Sequence, residues 1–503
     1  MSNLDTITYK SIIERLQSDE NKRNALLDMK NLLEFKPKPI AASTIKSAGI
    51  SKIVNCLNET DGVQTDLACD VLKICFEKFN TGEVIKNYTS HIMYLLRHEK
   101  PCVRKLAIDE VYKTLTGDIS LLPVTDYIDV FVAVAQLVCD MDIAIANKAV
   151  LITSNLPNEA YPKILEEMKI ALESTKSSKC NAYEVAMNIS TKSFDLFELC
   201  INEGYIQSMV SELESDDVLY QMNILELLSQ LAVKPHGINY FVKFGVLQKI
   251  TELLVSLKNN PLKGLLAPGY LKFFGCVAHY YPREIFEKYP ALVDSLFDAF
   301  EVKDETMPVA LDTLSYIGTT AEGKLCLAAL GGKYIQALET LGTILRNSPT
   351  DIKIRILNTF ANLIGLDKDL ECNKNPNHQR LDLLTREWFR CFSKEPGPIN
   401  KLFELCKSSF SDIKVAALTL LEAVCQHTWG EQLVATTPGL IEYLLDRNED
   451  VVTYVQEAKY KVIVRLSTST AFDANLMTRI QTYVQQGPFY IDMQLHVAME
   501  EEN

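Results

Sequence analysis

The chain has 503 residues, more than one compact core of roughly 100–200 residues holds, so it reads as several domains or one elongated repeat array. Hydrophobic residues make up 47%, which excludes general disorder, and 20 glycines with 18 prolines are too few for the dense turns of an all-β protein. A net charge of −14 repels a phosphate backbone, so nucleic acid is not an expected partner.

At the start, MSNLDTITYK lacks a basic segment followed by an apolar one, so no signal peptide is expected. Further on, no stretch of about 20 residues is apolar enough to span a bilayer, and no membrane partner is expected. Thirteen cysteines without a CxxC pair imply a reducing compartment: the cytosol, with the nucleus as a second location. The sequons at Asn58, Asn87 and Asn188 then carry no glycan.

Residues 1–200 are the less regular part, although TDLACDVLKICFEKF (65–79) and KPCVRKLAIDEVYKTL (100–115) show an apolar stripe at helical spacing. From 201 to 503 the pattern sharpens. NILELLSQLA (223–232) places Ile224, Leu225, Leu228, Leu231 and Ala232 on one helix face. In the same frame follow VALDTLSYIG (309–318), RILNTFANLI (355–364) and AALTLLEAVC from Ala416. Leu225 and Leu311 stand 86 residues apart, two periods of 43, and Leu357 follows 46 later. The next interval is longer by a polar insertion, 367–380, and KEPGPIN (394–400) is the linker-like stretch. A period of about 40–47 is the armadillo/HEAT signature. The expected fold class is all-α, a helical-repeat solenoid of about eleven units forming one continuous curved superhelix.

Glycines punctuate the units. GINYFVKFGVLQKITELL (237–254), GKLCLAALGGKYIQALETL (323–341) and GEQLVATTPGLIEYLL (430–445) each open on one glycine and carry another ahead of a last helix. The first is expected to close a helix in a left-handed cap, the second to permit the turn into the last helix. AGISKIVNCL and EGYIQSMVSEL begin last helices in the same way. Ser348, Pro349, Thr350 and Asp351 are expected as a cap serine, a first-turn proline and an acidic residue near the positive helix end.

Catalytic spacings are missing. There is no GxxxxGK[ST], GxSxG or HExxH, and the seven histidines are scattered, so no catalytic residue, no metal and no cofactor is expected, and the chain reads as a non-enzyme. Cys372 and His378 share the polar insertion but make only two of the four ligands zinc wants. Cys69 and Cys75 read as core. Asp216-Asp217 and Asp304-Glu305 precede long helices and suit their positive ends. Phe273-Phe274 with Tyr280-Tyr281 fit packing between units better than a peptide-docking patch.

Several stretches are more specific than the repeat. APGYLKFFGCVA (267–278), EKYPALVDSLFDAF (287–300), PVALDTLSYIGTTAEGKLCL (308–327), PGLIEYLLDR (438–447), EAKYKVIVRL (457–466) and TYVQQGPFYI (482–491) together resemble the 26S proteasome non-ATPase regulatory subunit 5 family. That resemblance implies a chaperone for assembly of the regulatory-particle base. Its implied partners are base ATPases, regulatory subunit 7 first through its C-terminal domain, with subunit 4 and non-ATPase regulatory subunit 2 in the same early module. The chaperone would leave before the mature particle forms. The alternative is an armadillo/HEAT scaffold or adaptor in trafficking or transport, although two tryptophans make a poor groove ladder for a transport receptor.

In such solenoids the last helix of each unit is expected to line the inner surface. Its outward positions are Gln248 and Glu252, Gln336 and Glu339, and Glu442 with Asp446, an acidic set suited to a basic partner. Lys272 and Tyr460 join them as family-like candidates, and the GPFY turn (487–490) is expected to dock the C-terminal end.

Overall fold

The computed structural model describes residues 2–16, 22–58, 62–117, 123–257, 260–366, 378–448 and 452–490. Among these residues the chain is α-helical with short 3-10 turns and no strand, an all-α helical-repeat solenoid. It divides into two compact units, Met1–Leu231 and Ala232–Asn503. Residues 367–377 of the polar insertion, Cys372 included, lie outside the described residues.

In the first unit a row of long helices runs α1 (Gly62–Glu77), α2 (Pro101–Thr116), α3 (Ile143–Ser154) and α4 (Lys176–Ser190), each packed on the next. Next to α4 stands α5 (Val218–Ala232). The Lys176 ammonium pairs with Asp217 at 3.0 Å and sits 5.4 Å from the Tyr220 ring centre. Asp217 also accepts the Tyr220 backbone N–H, which with Lys176 holds its carboxyl below the usual range. That is the expected capping, extended by an ion pair across helices.

The second unit begins its described rows with α6 (Val246–Ser256), α7 (Lys263–Tyr280), α8 (Pro290–Val302) and α9 (Met307–Ile317). It continues with α10 (Ala321–Ala329), α11 (Gly332–Asn347), α12 (Thr350–Ile364), α13 (His378–Cys391) and α14 (Pro398–Cys406). Further along stand α15 (Ser411–Val424), α16 (Leu440–Leu445), α17 (Thr453–Leu466) and α18 (Ala474–Gln486), with the short helices Pro235–Lys243, Pro282–Lys288 and Thr428–Thr436 set between longer ones. Helices α7, α9, α12, α15 and α17 stack in sequence as one row of long helices; α6, α8 and α11 form a second, last-helix row.

The stripes go where their spacing sends them. Leu311, Leu314, Leu357, Phe360, Leu418 and Leu421 are all fully buried between successive long helices. Each such side chain contributes about 1.5–3 kcal/mol on leaving water. Hydroxyls then fix the register: Thr313 donates to the Leu271 carbonyl at 3.2 Å, and Thr359 to the Leu311 carbonyl at 3.2 Å.

The two glycines of each unit have different reasons. Gly245 and Gly439 stand at φ 67° and 78° immediately before a last helix, so the turn expected of the second glycine is there and it, not the first, takes the left-handed conformation. The first glycine does not cap. Gly323 and Gly430 lie in the first turn of a short helix, where a β-carbon would collide with the carbonyl oxygens of Ile317 and Val424. Close approach of the short helix to the preceding long one excludes a side chain there. Ser348 also departs from expectation: it closes α11, its hydroxyl donating to Ile344 O at 2.8 Å, while Asp351 does stand in the first turn of α12.

Candidate interaction surface

The last-helix row presents its stripe inward and its polar face to water. In α6, Val246, Leu247, Ile250 and Leu254 are buried, which turns Gln248 and Glu252 outward. The Gln248 amide donates to the Glu252 carboxylate at 2.8 Å, so these two form a joined pair. One unit on, Gln336 is exposed on α11. Glu339, on the same helix, is half-buried and already accepts Lys394 Nζ at 3.0 Å. Glu442 and Asp446 are exposed at α16. The Asp446 carboxylate accepts the Asn448 N–H at 2.9 Å and its backbone oxygen accepts Lys459 Nζ at 2.8 Å.

Lys272 and Tyr460 belong to the other row. Lys272 is exposed on α7. Tyr460 is half-buried on α17 and donates its hydroxyl to Val484 O at 3.1 Å, which ties α18 to α17. The GPFY turn closes the same corner: Arg447 donates to Gly487 O at 2.8 Å and lies 3.6 Å from the Tyr483 ring centre. Four of the eight candidates thus share the last-helix row of α6, α8 and α11, two stand at α16, and two lie on the long-helix row.

Helix α8 supplies the part that sequence reading passed over. It opens on Tyr289-Pro290 in place of the glycine turn that flags its neighbours, so its outward carboxylates escaped notice. Between α6, α7 and α8 lies a cavity of about 420 Å³. Its floor is apolar, with Leu254, Ala267, Leu271 and Ala299, and Asp294, Asp298 and Glu301 stand on its rim. Asp294 reaches Lys333 of α11, and Lys263 at the edge pairs with Asp304 at 2.9 Å. Burial pushes the Asp304 carboxyl up, but hydrogen bonds from Thr306 and Lys263 more than offset it, leaving it below the usual range. An aliphatic stem ending in a cation fits such a lining, carbon below and carboxylate above.

Buried lysines were also illegible, because lysine reads as a surface residue. Lys324 of α10 is fully buried and donates to the carbonyls of Gly318 and, at 2.7 Å, Asn362, at the C-terminal ends of α9 and α12. Lys459, also buried, stands 4.4 Å from the Tyr443 ring centre. Both put a cation where helix dipoles end. Of the aromatic group, Phe273 and Phe274 are core and Tyr280 is exposed. Among the described residues no cluster of histidine, cysteine, aspartate or glutamate has the geometry to hold a metal. No described helix is long and apolar enough to cross a membrane.

Residues 6–503 match the proteasome non-ATPase 26S subunit family. The chain is 25% identical over 467 residues to the Homo sapiens protein named 26S proteasome non-ATPase regulatory subunit 5, with 90% of each chain covered. To the Drosophila melanogaster protein of that name it is 26% identical over 502 residues, covering 93% of this chain and 96% of the relative. The Mus musculus protein of that name is 24% identical over 464 residues, covering 89% and 90%. The resemblance read from the sequence phrases is borne out.

Proposed function

Because this chain belongs to the proteasome non-ATPase 26S subunit family, we propose that it is a non-catalytic chaperone for assembly of the 26S regulatory-particle base. It binds the C-terminal domain of the subunit 7 ATPase, travels in an early module with the subunit 4 ATPase and non-ATPase regulatory subunit 2, and leaves before the mature particle forms. Its place of work is the cytosol, with the nucleus as a second location. The observation that carries this reading is the family match across 6–503, which spans both units.

The last-helix row of the second unit supports it physically. Glu252, Glu442 and the carboxylates over the α8 cavity offer a negative surface to a basic ATPase face, and Gln248, Gln336, Glu339 and Asp446 add polar contacts. Lys272 and Tyr460, on the long-helix row, complete the proposed set of contact residues. The mechanism is occupancy: a covered ATPase surface cannot make premature contacts, and the next module displaces the chaperone by competing for it. A polar interface of moderate affinity suits such turnover.

The test is a pull-down from cell lysate with tagged full-length protein, read by mass spectrometry. Recovery of base ATPases with the large non-ATPase subunit and little proteolytic core is the expected result. Recovery of complete 26S particles would make the chain a resident subunit, and recovery of no proteasomal protein would overturn the proposal.

A further inference from the structure

Free cysteine usually serves as a small core residue, and Cys56, Cys75, Cys200, Cys391, Cys406 and Cys425 are buried accordingly. Two cysteines of the first unit depart from that habit. Cys102, in the first turn of α2, is the one exposed cysteine among those described, and Cys69 of α1 is half-buried. They meet: the Cys69 thiol donates a hydrogen bond to the Cys102 sulfur.

The segment leading into α2 holds this contact in place. Two residues before Cys102, Lys100 Nζ donates to Thr65 Oγ1 of α1 at 2.5 Å and to Leu57 O at 3.2 Å. Thr65 and Cys69 stand four apart on α1, so the face that receives Lys100 presents Cys69 one turn on. Two residues after Cys102, the Arg104 guanidinium donates to both Asp140 oxygens at 2.6 and 2.8 Å. It also reaches back to the carbonyls of His98 and Glu99 at 2.9 and 2.7 Å. The chain is thus fastened on both sides of Cys102, and the two sulfurs are kept facing each other across α1 and α2.

The thiols are unequal. Burial first, and the adjoining Cys102 next, push the Cys69 thiol up to about 12, so Cys69 keeps its proton. Cys102 has the open side, from which a small oxidant reaches its sulfur. No packing role asks for a thiol at an exposed position.

We propose that Cys69 and Cys102 are a peroxide-sensitive pair that closes into a disulfide between α1 and α2. Hydrogen peroxide acts on Cys102 first. The Cys102 sulfur bonds to one peroxide oxygen as the O–O bond breaks, and the other oxygen leaves as water with the thiol proton. The Cys69 sulfur then attacks the resulting sulfenic sulfur, the S–O bond breaks, and the hydroxyl leaves as water with the Cys69 proton. Together the two thiols lose two electrons, and one peroxide becomes two waters. In a reducing compartment the pair rests as thiols and the bond is transient.

The inference stands apart from the assembly role and is tested on the purified full chain alone. The folded protein is treated with hydrogen peroxide, remaining thiols are alkylated, and unreduced peptides are mapped by mass spectrometry. A Cys69–Cys102 link, reversed by dithiothreitol, should form at least tenfold faster than any other cysteine pairing. It should also form at least tenfold faster than in the urea-unfolded chain, where the contact is gone. Cys69→Ser should leave Cys102 as a sulfenic acid, captured by dimedone at least tenfold more than in the parent chain. Cys102→Ser should leave Cys69 reduced, and circular dichroism should show unchanged helicity in both variants. Absence of the link, a link no faster than in the unfolded chain, or passage of Cys102 to the sulfinic acid with Cys69 still reduced would each overturn the proposal.

Discussion

In the second unit, α9, α12 and α15 lie along one another and bury Leu314, Phe360 and Leu421 completely, whereas α8 and α11, 13 and 16 residues long, touch sparsely and leave Asp298 and Gln336 in water. The amphipathic pattern is the same in both rows. What differs is how closely neighbouring units approach. Close approach turns a stripe into shared core, pegged by Thr313 and Thr359; wider spacing leaves a cavity and a rim of carboxylates. One row therefore holds the units together, and the other keeps a polar face in water, the face proposed for recognition.

The strongest way to break this comparison is to truncate a stripe residue. Leu314→Ala should cost about 2–5 kcal/mol, read as a shift of the urea unfolding transition followed by circular dichroism. The exposed Gln336→Ala should move the same transition by less than about 0.5 kcal/mol. Equal shifts would erase the distinction between the rows.

Lys324→Met comes next. It keeps the aliphatic stem but leaves the Gly318 and Asn362 carbonyls without their donor, and a loss of about 1–3 kcal/mol is expected in the same unfolding experiment. A neutral result would mean that water replaces the ammonium.

Glycine substitutions sharpen the picture of how a unit is folded. Gly430→Ala forces the Thr428–Thr436 helix away from Val424 and should cost about 1–3 kcal/mol. Gly439→Ala meets no neighbour and carries only the left-handed backbone, about 1 kcal/mol. If the order is reversed in calorimetry, close approach is not what selects the first glycine.

The smallest stability effects belong to the proposed interaction surface. Glu442→Lys should leave stability within about 0.5 kcal/mol, and Glu339→Lys, which loses the Lys394 pair, within about 1 kcal/mol. Binding to the purified subunit 7 ATPase should nevertheless fall at least tenfold for the double variant. Unchanged affinity with intact helicity would remove the acidic row from the proposed interface.

Fold and site were legible to different depths. Ile224 through Cys425 recur in one frame, and every stripe residue of that frame that defined the repeat went to the core, because burial depends on spacing that sequence displays directly. The second glycine was legible as the turn into the last helix, although the left-handed backbone expected of the first glycine proved to be its own. The first was misread: its constraint comes from Val424 or Ile317 arriving from another helix. The α8 carboxylates were missed for want of a glycine signal, and Glu339 looked available because its partner Lys394 lies far along the chain.

By itself, then, the sequence determined helix type, repeat length, the buried stripes and the family, all properties carried by residues near in sequence or by phrases kept in order. Tertiary structure alone decided which row packs tightly, which carboxylates keep their charge facing water, and where Lys324 and Lys459 are buried. Those outcomes depend on the distance between units one period apart, and that distance is set by the sum of side-chain contacts across the whole interface.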